Sequence, residues 1–193
     1  MTRYIRQFML SFVVGLIALS AAMSAAMNTI GVDPSQLAPK IRQELVTEPY
    51  YSIFDNLGFR IDGPKVTLFG EVWWPNLKNS AEQVVANLEG VTSVENQIEV
   101  LPTSFYDDRL RLATARALFS HPVLRKYVWP GASFGLLPYR SDIHIIVKNG
   151  HVTLEGVVLR KTDSDVASLV ANHVHGIFSV TNNLRVKNTT KEG

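Results

Sequence analysis

One run of 35 residues occurs twice in this chain, and no other feature constrains the fold as strongly. Val66-Thr67-Leu68-Phe69-Gly70-Glu71-Val72 opens the first copy, which ends at Val100. Val152-Thr153-Leu154-Glu155-Gly156-Val157-Val158 opens the second, which ends at Val186. The copies align without a gap at an offset of 86 (152 − 66). Twelve of the 35 paired positions are identical: Val66, Thr67, Leu68, Gly70, Val72, Ala81, Val84, Gly90, Ser93, Val94, Asn96 and Val100. Both copies run alternating apolar residues around a Gly, then a helical spacing, a second Gly and a second alternating run. Self-similarity at a fixed spacing marks a duplicated structural unit. The 193 residues then divide into two domains of roughly 60–80 residues, at the small end of what folds without staples.

Composition narrows the chemistry. The chain has no Cys, which excludes disulfides, thiolate zinc sites, an acylated lipoprotein cysteine and cysteine nucleophiles. The formal charge of +2 hides an asymmetry. Residues 27–104 hold 5 basic and 10 acidic side chains, net −5, and residues 105–193 hold 12 and 7, net +5. Opposite charge on two copies of one fold implies different tasks or mutual attraction.

Residues 1–26 read as a signal peptide or N-terminal anchor. Arg3 and Arg6 precede an uncharged apolar run from Phe8 to Ala22, and Ser24-Ala25-Ala26 offers a cleavage site. Uncleaved, about 20 apolar residues would span a bilayer. Either way the repeats lie beyond the inner membrane, in the periplasm. Residues 27–39 read as a linker, 40–101 as domain 1, 102–108 as a second linker, 109–187 as domain 2 and 188–193 as a polar tail.

Within domain 1 the pattern predicts a helix over 40–47 and a strand over 65–74, with Val66, Leu68 and Val72 on the core face. A helix capped at Asn79 or Ser80 follows, with Ala81, Val84, Val85 and Leu88 in stripe, then a strand over 91–100. Domain 2 repeats the order: a helix over 109–119, a strand over 143–147, the hairpin turn Asn149-Gly150 and a strand over 151–159. Its last helix is capped at Thr162 or Asp163 with Val166, Leu169, Val170 and Val174 in stripe, before a final strand to Val186. Thr47-Glu48-Pro49 matches Ser120-His121-Pro122 at an offset of 73. Domain 2 therefore carries 13 extra residues (86 − 73), within an insertion at 123–141. The fold class is α+β: two tandem αββαβ domains, each a small three-stranded sheet covered on one face by two helices.

The Val66–Val72 motif with Gly90-Val91-Thr92-Ser93-Val94-Glu95-Asn96-Gln97-Ile98, and its second copy, Val152–Val158 with Gly176-Ile177-Phe178-Ser179-Val180-Thr181-Asn182-Asn183-Leu184, resemble the BON domain. That family of small αββαβ modules occurs in bacterial envelope proteins. The resemblance implies a tandem envelope protein serving envelope integrity or osmotic stress tolerance.

Catalytic and metal signatures are weak. Gly131-Ala132-Ser133-Phe134-Gly135 fits the G-x-S-x-G expression, but a nucleophile elbow needs a strand before it and a helix after it. His173 and His175 are two apart, so a helix points them in different directions. The expectation is a non-enzyme with no cofactor and no metal. The four repeat glycines read as structural, Gly70 and Gly156 at a strand bend or a close helix approach, Gly90 and Gly176 as helix caps.

Two differences between the copies remain. Phe69 and Trp73, with Glu71 on the same strand face, stand where the second copy has Glu155 and Leu159. Opposite the core face, they mark a surface for the other domain or for a partner. The insertion mixes Arg125, Lys126 and Arg140 with Tyr127, Trp129 and Phe134, the composition of segments at a lipid headgroup boundary. The leading expectation is a peripheral protein binding anionic phospholipid headgroups through those six residues. The alternative is an adaptor for an envelope protein or glycan through Phe69 and Trp73. Export argues against nucleic acid.

Overall fold

The computed structural model describes residues 34–131, 133–134, 137–138 and 140–187. Residues 1–26, read above as a targeting segment, the tail 188–193, and Ala132 and Gly135 of the G-x-S-x-G pentad lie outside the described residues. The first half comprises α1 (Pro34–Thr47), β1 (Asn56–Asp62), β2 (Lys65–Val72), α2 (Pro75–Ala86) and β3 (Ser93–Val100). The second comprises α3 (Phe105–Ser120), a 3-10 turn (Arg125–Tyr127), the short strands β4 (Ser133–Phe134) and β5 (Leu137–Pro138), and β6 (Ile143–Lys148). It continues through β7 (His151–Val158), α4 (Lys161–Asn172), β8 (Ser179–Asn182) and β9 (Arg185–Val186). With the insertion set aside, each half is αββαβ.

In each half a hairpin supplies two antiparallel strands, and a helix crosses over to add a parallel one. Val66 lies opposite Val94, and Val152 opposite Val180. Val66, Leu68, Val72, Val152, Leu154 and Val158 are all fully buried, as their strand parity predicts. Asn149 and Gly150 both have positive φ, +53° and +80°, as the Asn-Gly hairpin turn requires. The Asp107 carboxylate clamps that turn, accepting from Asn149 N at 2.9 Å and Gly150 N at 2.8 Å.

Several boundaries differ from the expectation. α1 begins at Pro34, because Leu37 continues the buried Ile41 and Leu45 stripe by one turn. Residues 34–39 are therefore helix, not linker. β2 stops at Val72, and Pro75 opens α2 at a position where a missing N–H costs nothing. α3 begins at Phe105, its cap Ser104 accepting from Asp107 N at 3.2 Å, so most of 102–108 is its first turn. α4 begins at Lys161 and buries Ala167 and Ala171, while Leu169 is 60% exposed. Its apolar stripe is thus rotated from the expected one, with alanines facing the sheet and letting the helix lie close.

The halves share a core. Ile53 and Phe54, from the loop before β1, pack into the cluster that contains Leu110, Leu118, Ile145 and Leu154. Ile145 N donates to the Ile53 carbonyl at 2.7 Å, which adds a piece of the first half to the free edge of β6. Lys148 pairs with Glu99 across the joint at 2.5 Å, one direct link between the acidic and basic halves.

Candidate functional site

The insertion is pinched at its base. Val128 bridges Ser141, Trp129 N donates to the Arg140 carbonyl at 3.2 Å, and Asp142 N donates to the Tyr127 carbonyl at 3.0 Å. Beyond the pinch, β4 and β5 form a two-residue ladder. Tyr127, expected at a headgroup, is instead only 2% exposed. Its hydroxyl donates to Asp163 Oδ2 at 2.5 Å and accepts from Leu159 N at 2.8 Å. Burial and then the Asp163 bond push that hydroxyl up to about 12. Lys126 reaches the same carboxylate at 2.7 Å. Burial alone would raise Asp163, yet the bonds from Lys126 and Tyr127 outweigh it and hold the carboxyl low.

This corrects one of the six lipid candidates: Tyr127 is a core strut, while Lys126 pairs with Asp163 and keeps its side chain 40% exposed. Arg125 remains exposed, and Trp129 is 41% exposed with its Nε1 donating to Asp142 Oδ1 at 2.8 Å. Arg140 is half-buried, and the Phe134 side chain lies outside the described residues.

The second candidate face divides too. Trp73 is packed between the halves: its ring meets Phe54 edge-on at 5.2 Å and Trp74 at 4.9 Å, and the Arg111 guanidinium lies 5.6 Å from its centre. Of the two uses that parity leaves open, packing against the other domain is the one seen. Phe69 is 41% exposed and rests one side of its ring on Gly58, where a Cβ would stand 2.4 Å from it.

Glu71 is half-buried. Its carboxyl is raised above the usual value of 4.5 by burial, then by Glu155 and Glu99, against an opposing pull from Lys148. A carboxyl raised on folding contributes less stability as pH climbs from its ordinary value through the raised one. Glu71→Gln should therefore melt higher than the parent at pH 7, and the gap should close by about pH 4. Thermal melts across that range check it; a variant that melts lower at pH 7 contradicts the reading.

A further cluster escapes the sequence reading. Phe105 is 90% exposed and Phe178 68%. Tyr106 lies 6.0 Å from Phe178, and the Arg109 guanidinium lies 5.9 Å from the Tyr106 ring. The Tyr106 hydroxyl donates to the Gly176 carbonyl, tying the start of α3 to the end of α4. A groove of about 420 Å³ beside them is lined by Tyr106, Arg109, Leu110 and His175. Assigning 102–108 to a linker hides this patch. Its one sequence signal is Phe178 standing where the first copy has Thr92.

Comparison with known proteins finds the BON domain over residues 33–102 and 135–188. The second match leaves out α3. Osmotically-inducible protein Y of Escherichia coli (strain K12) is 26% identical over 167 residues, covering 86% of this chain and 79% of that protein. Two solved structures of CdsD, a structural protein of the Type III secretion system of Chlamydia trachomatis, are each 15% identical. They cover 80% and 78% of this chain and 99% and 92% of their own, at TM-scores of 0.28 and 0.26.

Proposed function

The chain belongs to the BON domain family, and from that premise we propose a non-catalytic, exported envelope protein that binds anionic phospholipid surfaces through its second half. Its role would be envelope integrity or osmotic stress tolerance, supported by the name of its relative in Escherichia coli. The basic, apolar-rich start of the chain supports export to the periplasm.

The observation that carries the lipid reading is the exposure of Phe105 and Phe178, the latter ring against Tyr106, over which the Arg109 guanidinium lies. Aromatic rings gain by sitting at a lipid–water boundary, and each nearby Lys or Arg adds about 1 kcal/mol at an anionic surface. The acids beside the patch are occupied internally, Asp107 by the hairpin turn and Asp108 by Arg111. Arg109 is then the cation beside the rings, in a half of the chain that carries net +5.

Liposome cosedimentation tests this, with every variant carrying the same N-terminus so that differences report the second half. Anionic vesicles should bind more protein than neutral ones. Phe105→Ala with Phe178→Ala should weaken that binding at least tenfold, and Arg125→Ala with Trp129→Ala should leave most of it. The reverse order would move the contact to the insertion. Equal binding to both vesicle types would end the proposal.

A further inference from the structure

A smaller pocket lies where the base of the insertion meets the loop before β1. It holds about 190 Å³, and its walls include Tyr51, Trp129, Arg140, Asp142 and His144. That is below the roughly 300–1,000 Å³ of drug-sized sites and suits a molecule of amino-acid size. It is separate from the aromatic patch at the start of α3, because its residues come from the opposite, C-terminal side of that helix and from the first half.

Its charges are unusual in being opposite and unpaired. The Arg140 side chain makes no hydrogen bond or ion pair among the described residues, and its Nε is buried without a partner. Asp142 lines the same pocket two residues on, and the two do not approach within ion-pair distance. The Asp142 carboxylate spends Oδ1 on the Trp129 indole, which leaves Oδ2 unclaimed. His144 Nδ1 is likewise buried without a well-aligned hydrogen bond, with the Ser52 and Asp55 backbone near the ring, and the Tyr51 hydroxyl is a marginal 3.5 Å from the other ring nitrogen. Unsatisfied buried polar atoms are rare and call for an explanation such as a bound water or ion. Two of the four found among the described residues belong to this one pocket.

We infer that this pocket binds a small zwitterion, its anionic end on Arg140 and its ammonium end beside Asp142 and the faces of Trp129 and Tyr51. A guanidinium is matched to carboxylate or phosphate, and an ammonium is drawn both to a carboxylate and to an aromatic face. A simple anion would meet Asp142, and a simple cation would meet Arg140. Only a ligand carrying both charges satisfies the two walls together. The same chemistry exists in a free amino acid or phosphoethanolamine and in a phosphatidylethanolamine headgroup.

Titration of the full chain with O-phosphoethanolamine and glycine, followed by tryptophan fluorescence and by calorimetry, tests the inference. Saturable binding is expected, at least tenfold tighter than that of inorganic phosphate or ethanolamine given singly. Arg140→Gln and Asp142→Asn should each weaken it about tenfold, while melting near the parent temperature. Inorganic phosphate binding as well as O-phosphoethanolamine would overturn the zwitterion, as would an Asp142→Asn variant that binds normally. A neutral hexose that binds while both zwitterions fail would also overturn it. Vesicles of phosphatidylethanolamine form the second arm: capture sensitive to Arg140→Gln assigns the headgroup, and binding of soluble ligand alone assigns the free molecule. Phe105→Ala with Phe178→Ala should leave soluble-ligand binding unchanged, so loss of membrane affinity and loss of this site are read separately.

Discussion

Arg111→Ala should destabilise the protein by about 3–5 kcal/mol, the range for removing one partner from a buried charge network. Arg111 is fully buried. Its guanidinium donates to Asp108 Oδ1 at 2.5 Å and to the Val147 carbonyl at 2.7 Å, and it lies over the Trp73 ring. Burial pulls its pKa down, while Asp108, Asp107 and Asp55 hold it charged. Asp55 is also fully buried. It accepts from Ser52 N at 2.9 Å, Ser52 Oγ at 2.6 Å and Trp73 N at 2.7 Å. Burial raises the Asp55 carboxyl, and those bonds together with Arg111 oppose the rise. Truncation would leave Asp55 facing a cavity with no cation and Trp73 without its cover. At roughly 2–4 °C per kcal/mol for a chain of this size, the melting temperature should fall by about 6–20 °C. Trp73 emission should move to the red before the main transition if the halves loosen first. Arg111→Met keeps the aliphatic stem and should lose less. A loss under about 1 kcal/mol for Arg111→Ala would mean that water already reaches the guanidinium.

Arg111 shows where sequence reading stops. The two αββαβ units were legible because strand parity and helical spacing are local: Val66, Leu68 and Val72 declare a face by alternation alone. The meeting of the halves is not local. Trp73 reaches its partner Arg111 across 38 residues (111 − 73), and Tyr127 reaches Asp163 across 36. Nothing in the composition of the insertion separates Tyr127 from Trp129, yet one hydroxyl finds a buried carboxylate and the other ring stays half in solvent. Helix starts are hard to read from sequence for a related reason. Capping residues within 102–108 and 160–163 compete closely, and the winner depends on whether Asp107 and Asp163 are drawn into partners on other elements. The aromatic patch was lost with the first of those boundaries. The pocket at Arg140 was invisible because it needs Tyr51 from the other repeat.

Gly156→Ala should be nearly as damaging as Arg111→Ala, at about 3 kcal/mol or more, and Gly70→Ala should match it. Both glycines sit at strongly positive φ, +120° and +115°, where a non-Gly residue costs about 1–3 kcal/mol. A Cβ would also stand 2.0 Å from a backbone carbonyl, Asp142 O for Gly156 and Asn56 O for Gly70. The close neighbour is the start of the adjacent strand, where a packed helix was the alternative the sequence allowed. That distinction matters to the size of the effect. A carbonyl at the mouth of a ladder cannot swing aside without shifting the β6–β7 register, whose Ile143–Gly156 pairing places Ile143 in the core. Two other glycines calibrate the claim. Gly58→Ala meets only the Phe69 ring, which can turn outward, and Gly63 at φ +55° has open space around it. Gly63→Ala should cost about 1 kcal/mol for its backbone angle, and Gly58→Ala no more, because the lower backbone freedom of alanine offsets the displaced ring. Urea unfolding of the four variants should therefore separate into two pairs. If Gly156→Ala unfolds with Gly63→Ala, the strand start at Asp142 yields freely, and the glycine shared by both copies has some reason other than backbone contact. If the pairs separate, Gly70 and Gly156 are identical in the two copies because the strand beside each allows no other residue.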